Sequence, residues 1–121
     1  MAKGDDLQER LIDFAVRIIK LCSEFPKTPA GNHVAGQLLR CGTSPAPNYG
    51  EARSAESLRD FVHKMRVVLK ELSESRVWLI IIERSELLPA THIASDKQEC
   101  EELCKIVGAS IKTASSRTEP R

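Results

Sequence analysis

The sequence predicts an all-α fold, an antiparallel up-down-up-down four-helix bundle, and three observations predict it. Apolar residues recur at three- and four-residue steps in four separate stretches, the signature of helices with one buried face. No stretch alternates polar and apolar residues with the two-residue period of a strand, and no repeat of 20–50 residues is present. Short connections join the four stretches, which brings consecutive helices back antiparallel. The 121 residues suit a single domain spanning 1–121.

The first helix is expected over about 5–25, where Leu7, Leu11, Phe14, Ala15, Ile18, Cys22 and Phe25 form one face. Asp5 and Asp6 at its start complement the positive end of the helix dipole. The segment FPKTPAGN, with two prolines, ends it. The second helix is expected over about 32–55, carrying Val34, Ala35, Leu38 and Leu39 into the irregular stretch GTSPAPNYG. Pro45 and Pro47 lack an amide donor and clash with the preceding turn, so local reasoning breaks the helix there and restarts it near Asn48. A kinked helix running on toward Ala55 is the alternative. The third helix, about 57–86, is the clearest. Ser57 is its N-cap with Asp60 three positions on, and Leu58, Phe61, Val62, Met65, Val68, Leu69, Leu72 and Leu79 trace its apolar face. Leu88 and Pro89 close it. The fourth helix, about 93–115, buries Ile93, Cys100, Leu103, Cys104, Val107 and Ile111, and the polar tail SSRTEPR is expected to fray.

Composition narrows the function classes. The chain is 41% hydrophobic and 29% charged, which excludes wholesale disorder. Its 18 Lys+Arg stand against 17 Asp+Glu, which excludes a histone-like polycation but not a local basic patch. Aromatic residues make up 4%, too few for a surface that stacks several bases. The longest apolar run, 77–82, is far short of the ~20 residues that span a bilayer, so no membrane partner is expected. The start, MAKGDDLQER, has no apolar signal-peptide core, and a cytoplasmic location is expected. Cys22, Cys41, Cys100 and Cys104 contain no C-x-x-C pair and read as small buried hydrophobes.

The third helix carries two features beyond its core stripe. Arg59, His63, Arg66 and Lys70 fall within about 60° of one another on a helical wheel, a basic ridge away from the core face. Such a ridge could contact nucleic-acid phosphates, or be a solvated face paired with Glu56, Asp60, Glu71 and Glu74. The second feature is VWLIII at 77–82, which covers the whole helix circumference, more than one core can bury. Val77, Trp78, Ile81 and Ile82 are therefore expected to form a self-association surface, unless the loops and Phe25 cover this end.

Catalytic signals are lacking. A di-metal site in a bundle uses two Glu-x-x-His motifs, and this chain offers one Asp60-x-x-His63 and no second copy. No G-x-S-x-G, Walker or dinucleotide motif is present. No catalytic residue, metal ligand or cofactor is expected, and the chain reads as a non-enzyme.

Residues 37–82 carry Gln37, Leu38 and Arg40, the Thr43–Ser44 turn, Asn48 with Glu51 and Ala52, then Asp60, Phe61, Lys64, Glu71, Trp78 and Leu79. This pattern resembles the bacterial four helix bundle protein family, also called 23S rRNA intervening-sequence proteins because some are encoded within insertions in 23S rRNA genes. The resemblance implies a four-helix protomer, a second helix continuous but kinked through Pro45 and Pro47, and a ring-shaped homopentamer. The family is similar to the accessory variability determinant of diversity-generating retroelements, a basic pentamer that binds a reverse transcriptase and nucleic acid. The present chain departs from that relative in its balanced charge. Arg40, Asn48, Glu51, Lys64 and Glu71 are the polar positions that match the family. Inside a bundle such groups need hydrogen-bond partners, so they are expected to form a polar network that fixes helix register or subunit packing; ligand or RNA contact is the alternative. The expected function is a non-enzymatic, oligomeric binding or scaffold protein, with a nucleic-acid-binding accessory protein as the alternative.

Overall fold

The computed structural model describes residues 3–118. Among them are five helical segments and no strand: α1 (Lys3–Cys22), α2 (Pro29–Thr43), α3 (Pro45–Arg53), α4 (Leu58–Ser85) and α5 (Ala90–Thr118). α2 and α3 act as one kinked rod, which makes the whole a four-helix bundle. α1 packs against α2, α3 and α5, and α4 packs against the same three, whereas α1 and α4 stand on opposite corners and do not meet. The core between them holds Leu11, Phe14 and Ile18 from α1, Leu38 and Cys41 from α2, Met65, Val68, Leu72, Leu79 and Ile82 from α4, and Ile93, Cys100, Leu103 and Val107 from α5.

The kink shows how two prolines sit in a continuous rod. Ser44 keeps a right-handed helical backbone (φ −71°, ψ −36°), and Pro45 occupies the first position of α3, where a missing amide hydrogen is least harmful. The i→i−4 ladder resumes at once, Asn48 N donating to Ser44 O at 3.2 Å. The Asn48 side chain clips the same point, its Nδ2 lying 2.9 Å from Ser44 O and 2.7 Å from Ser44 Oγ. Gln8 Nε2 of α1 donates to Ala46 O at 2.9 Å. Of the two local alternatives, the kinked rod is the one adopted.

Several boundaries differ from the periodicity. α1 ends at Cys22, and Phe25 is buried from the following turn. α2 begins at Pro29, three residues before Asn32, because Thr28 caps it: Thr28 Oγ1 accepts from Gly31 N at 3.0 Å. Gly31 is required there, since a Cβ would sit 2.1 Å from Pro26 O. Gly42 has a similar role, a Cβ there falling 2.8 Å from Ile18 Cγ2 and pushing α2 off α1. α4 starts after the Ser57 cap, whose Oγ accepts from Asp60 N at 3.0 Å, and ends on Glu86 in the left-handed region (φ 59°) with Leu87 N donating to Ile82 O. α5 starts at Ala90 rather than Ile93 and carries the helix through 115–118; the rest of the tail expected to fray, 119–121, lies outside the described residues.

Candidate interaction surfaces

The polar positions at 40, 48, 51, 64 and 71 separate into three groups. Arg40 reaches from α2 to α4, pairing with Glu74 and, through Nη1, with Glu71 Oε2 at 3.4 Å; its Nη2 also meets Gln37 Oε1 at 3.3 Å. Glu74 in turn accepts from Trp78 Nε1 at 3.2 Å. Lys64 Nζ lies 3.7 Å from Asp60 and 4.0 Å from Glu51, tying α4 to α3. Asn48 belongs to the kink alone. The first two groups link α4 to the α2–α3 rod, and the third lies within that rod.

The apolar run on α4 also divides. Ile82 is fully buried beside Leu79 and is a core residue, which removes it from any outer surface. At 100° per residue it falls on the same side as Ser75 and Leu79, the side facing the core. Trp78 is half covered, packed edge-on against His33 of α2 with ring centroids 6.0 Å apart. Val77 and Ile81 stay outside, 50% and 39% exposed.

Arg59, His63, Arg66 and Lys70 are all exposed, and none makes an ion pair or hydrogen bond among the described residues. Three of the four acidic neighbours expected to neutralise them are engaged elsewhere, Asp60 with Lys64 and Glu71 and Glu74 with Arg40, and Glu56 makes no ion pair among the described residues. Continuing along the helix at the same three- and four-residue steps, this ridge leads into Val77 and Ile81 and ends at exposed Arg84. The outer face of α4 is therefore one stripe, basic in its first half and apolar in its second.

Two features escaped the sequence reading. A second exposed apolar group lies on α1, where Ile12, Val16 and Ile19 follow i, i+4, i+7 spacing, with Leu39 of α2 also exposed. It was legible as a second apolar stripe offset from Leu11, Phe14 and Ile18. The other is the α1–α5 seam. Arg10 holds Glu99 through two bonds of 3.0 and 2.7 Å and reaches Glu102 at 3.2 Å, while Arg17 Nε meets the nearly buried Asp96 at 2.7 Å. His92 Nδ1 and Glu24 Oε1 lie 3.0 Å apart at the far end.

One concavity is lined by Arg76, Glu101, Cys104 and Lys105, where the hydrogen bond with Cys100 lowers the Cys104 thiol to about 7. A cleft of about 480 Å³ at one end of the bundle is lined by Leu7, Tyr49, Leu58, Phe61, Ile106 and Arg117 among others. The four cysteines are free thiols. Burial pushes Cys22 up to about 11 and raises Cys41. Cys100 is held as a thiol by its hydrogen bond with Cys104 and by burial, and its Sγ lies 3.2 Å from Leu72 O. No group of three or more His, Cys, Asp or Glu is gathered for a metal among the described residues, and no helix is long and apolar enough to cross a membrane.

Comparison with known proteins follows this geometry. Residues 6–109 match the model of the family described as 23S rRNA-intervening sequence protein. The chain is also similar to a crystal structure from Bacteroides thetaiotaomicron, described as a protein with unknown function from the S23 ribosomal protein family. The two are 31% identical, the match covers 92% of this chain and 99% of that one, and the TM-score is 0.84. Comparison with curated proteins gives no match.

Proposed function

The chain belongs to the 23S rRNA-intervening sequence protein family, and from that premise we propose that it is a non-enzymatic, self-associating helical scaffold. One observation carries the reading: large apolar side chains stand exposed on two opposite corners of the bundle, Val77 and Ile81 on α4 and Ile12, Val16 and Ile19 on α1. The polar groups around Arg40, Asn48 and Lys64 have structural partners within the chain, which favours packing roles over ligand contact. We place the protein in the cytoplasm, where four free thiols stay reduced. The ring-shaped homopentamer implied by the family resemblance is the assembly proposed.

A nucleic-acid-binding accessory role is the second reading, favoured by the unpaired state of Arg59, His63, Arg66 and Lys70. Light scattering on the purified chain, with absorbance at 260 and 280 nm across the same peak, separates the two. The scaffold reading expects a mass several times the 13.5 kDa of one chain and a protein-like absorbance ratio. A peak at 13.5 kDa at micromolar concentration would sink it. A 260 nm excess that disappears steeply with added salt would put nucleic acid first.

A further inference from the structure

Self-association leaves open which surfaces meet, and the outer faces of α1 and α4 are complementary. On α1, Asp6, Glu9 and Asp13 are exposed and make no ion pair or hydrogen bond among the described residues; they precede the apolar Val16 and Ile19, with Ile12 between. On α4, the equally unpaired Arg66 and Lys70 precede the apolar Val77 and Ile81. Each helix thus presents a charged stretch followed by an apolar one, in the same chain direction and with opposite charge. Beyond the apolar stretch both carry a cation, Lys20 and Arg84, so the charge match is confined to the first half.

The heights of the two faces agree as well. Gln8 bonds to Ala46, and Cys22 Sγ to Ala35 O, which sets the level of α1 against the α2–α3 rod. Ser75 Oγ lies 3.2 Å from Cys41 Sγ, and Lys64 pairs with Glu51, which sets that rod against α4. Through these ties Val16 and Ile19 stand level with Val77 and Ile81, and Glu9 with Lys70, to within about one helical turn. α1 and α4 run parallel at opposite corners of the bundle, so their outer faces point away from each other.

We propose that the outer face of α1 in one copy receives the outer face of α4 in the next, side by side and parallel. Val77 and Ile81 then pack on Val16 and Ile19, and Arg66 and Lys70 meet Asp6, Glu9 and Asp13. This rests on the self-association reading above and specifies its surfaces. Pairing α4 with α4 in parallel would set cation against cation, and α1 with α1 acid against acid. An antiparallel α1–α4 pair would bring Lys20 toward the basic ridge. The contact is heterologous, so it repeats from copy to copy, and with both faces level each step adds no rise along the helix axes.

Charge exchange tests the pairing by light scattering. The double variant Arg66→Glu, Lys70→Glu should fall to the 13.5 kDa mass of a single chain while keeping the helical circular dichroism of the folded bundle, because both positions are exposed and unpaired. Adding Glu9→Lys and Asp13→Lys to the same chain should restore the wild-type mass. A wild-type oligomer that survives the double variant, and survives Val16→Glu as well, would overturn the pairing while leaving self-association intact. Failure of the four-fold variant to reassemble, when it is folded, would also overturn it. A monomeric wild-type chain would overturn both readings. A 260 nm excess lost in the double variant at unchanged oligomer mass would assign the ridge to nucleic acid instead.

Discussion

The α1–α5 seam and the outer face of α4 are both rich in charge, and they treat it in opposite ways. Along the seam Arg10 is answered by Glu99 and Glu102, Arg17 by Asp96, and His92 lies against Glu24. Along α4, Arg59, His63, Arg66 and Lys70 have no partner among the described residues. The difference follows from geometry. Seam residues sit where two helices touch, so each side chain is within reach of the neighbouring helix. The outer face of α4 points away from every other helix of its own chain. Charges of the first kind set how helices pack, and charges of the second kind are free for a contact outside the chain.

The sharpest way to break the inner side of this contrast is on α4 itself. Ile82→Ala, removing a fully buried side chain, should cost about 3 kcal/mol of stability in denaturant unfolding. Ile81→Ala, one residue away and exposed, should lower the oligomer mass and, in a Val16→Glu background that holds the chain as a monomer, change stability by no more than about 0.5 kcal/mol. Equal losses of stability for the two would show that the run 77–82 is buried as a block. A smaller effect separates the two charged regions. Arg17→Ala strands Asp96, whose side chain is only 10% exposed, and should cost about 1–2 kcal/mol, since Arg17 itself is partly exposed and screened. In the same monomeric Val16→Glu background, Lys70→Ala should stay within about 0.5 kcal/mol of its parent. A Lys70→Ala loss as large as that of Arg17→Ala would mean the ridge is structural after all.

How much of this was legible in the sequence depends on what each feature rests on. The helices were, because Leu11, Phe14 and Ile18 or Val68, Leu72 and Leu79 repeat with the helical period whatever surrounds them. The start of α2 was missed because Thr28 and Pro29 read as turn residues in FPKTPAGN, although Thr before Pro is also a cap followed by a first helical residue. The basic ridge was legible as a stripe, but its unpaired state was not. That state depends on Arg40 arriving from another helix to claim Glu71 and Glu74. Ile82 was placed on the surface because six apolar residues in a row carry no phase of their own; only the direction of Leu72 and Leu79 toward the core assigns it inward. The seam required knowing that α1 and α5 are neighbours, which spacing along one chain does not reveal.

The central claim is that two different faces of this chain meet, and mixing two blocked variants tests it most directly. One carries Val16→Glu and Ile19→Glu on α1, the other Val77→Glu and Ile81→Glu on α4. All four positions are exposed, so both variants should fold as bundles and run alone as single chains of 13.5 kDa. Mixed in equal amounts, they should form a species of twice that mass and no larger, because each retains one of the two complementary faces. A mixture that stays at the mass of one chain, or a variant that keeps the wild-type mass alone, would contradict the account.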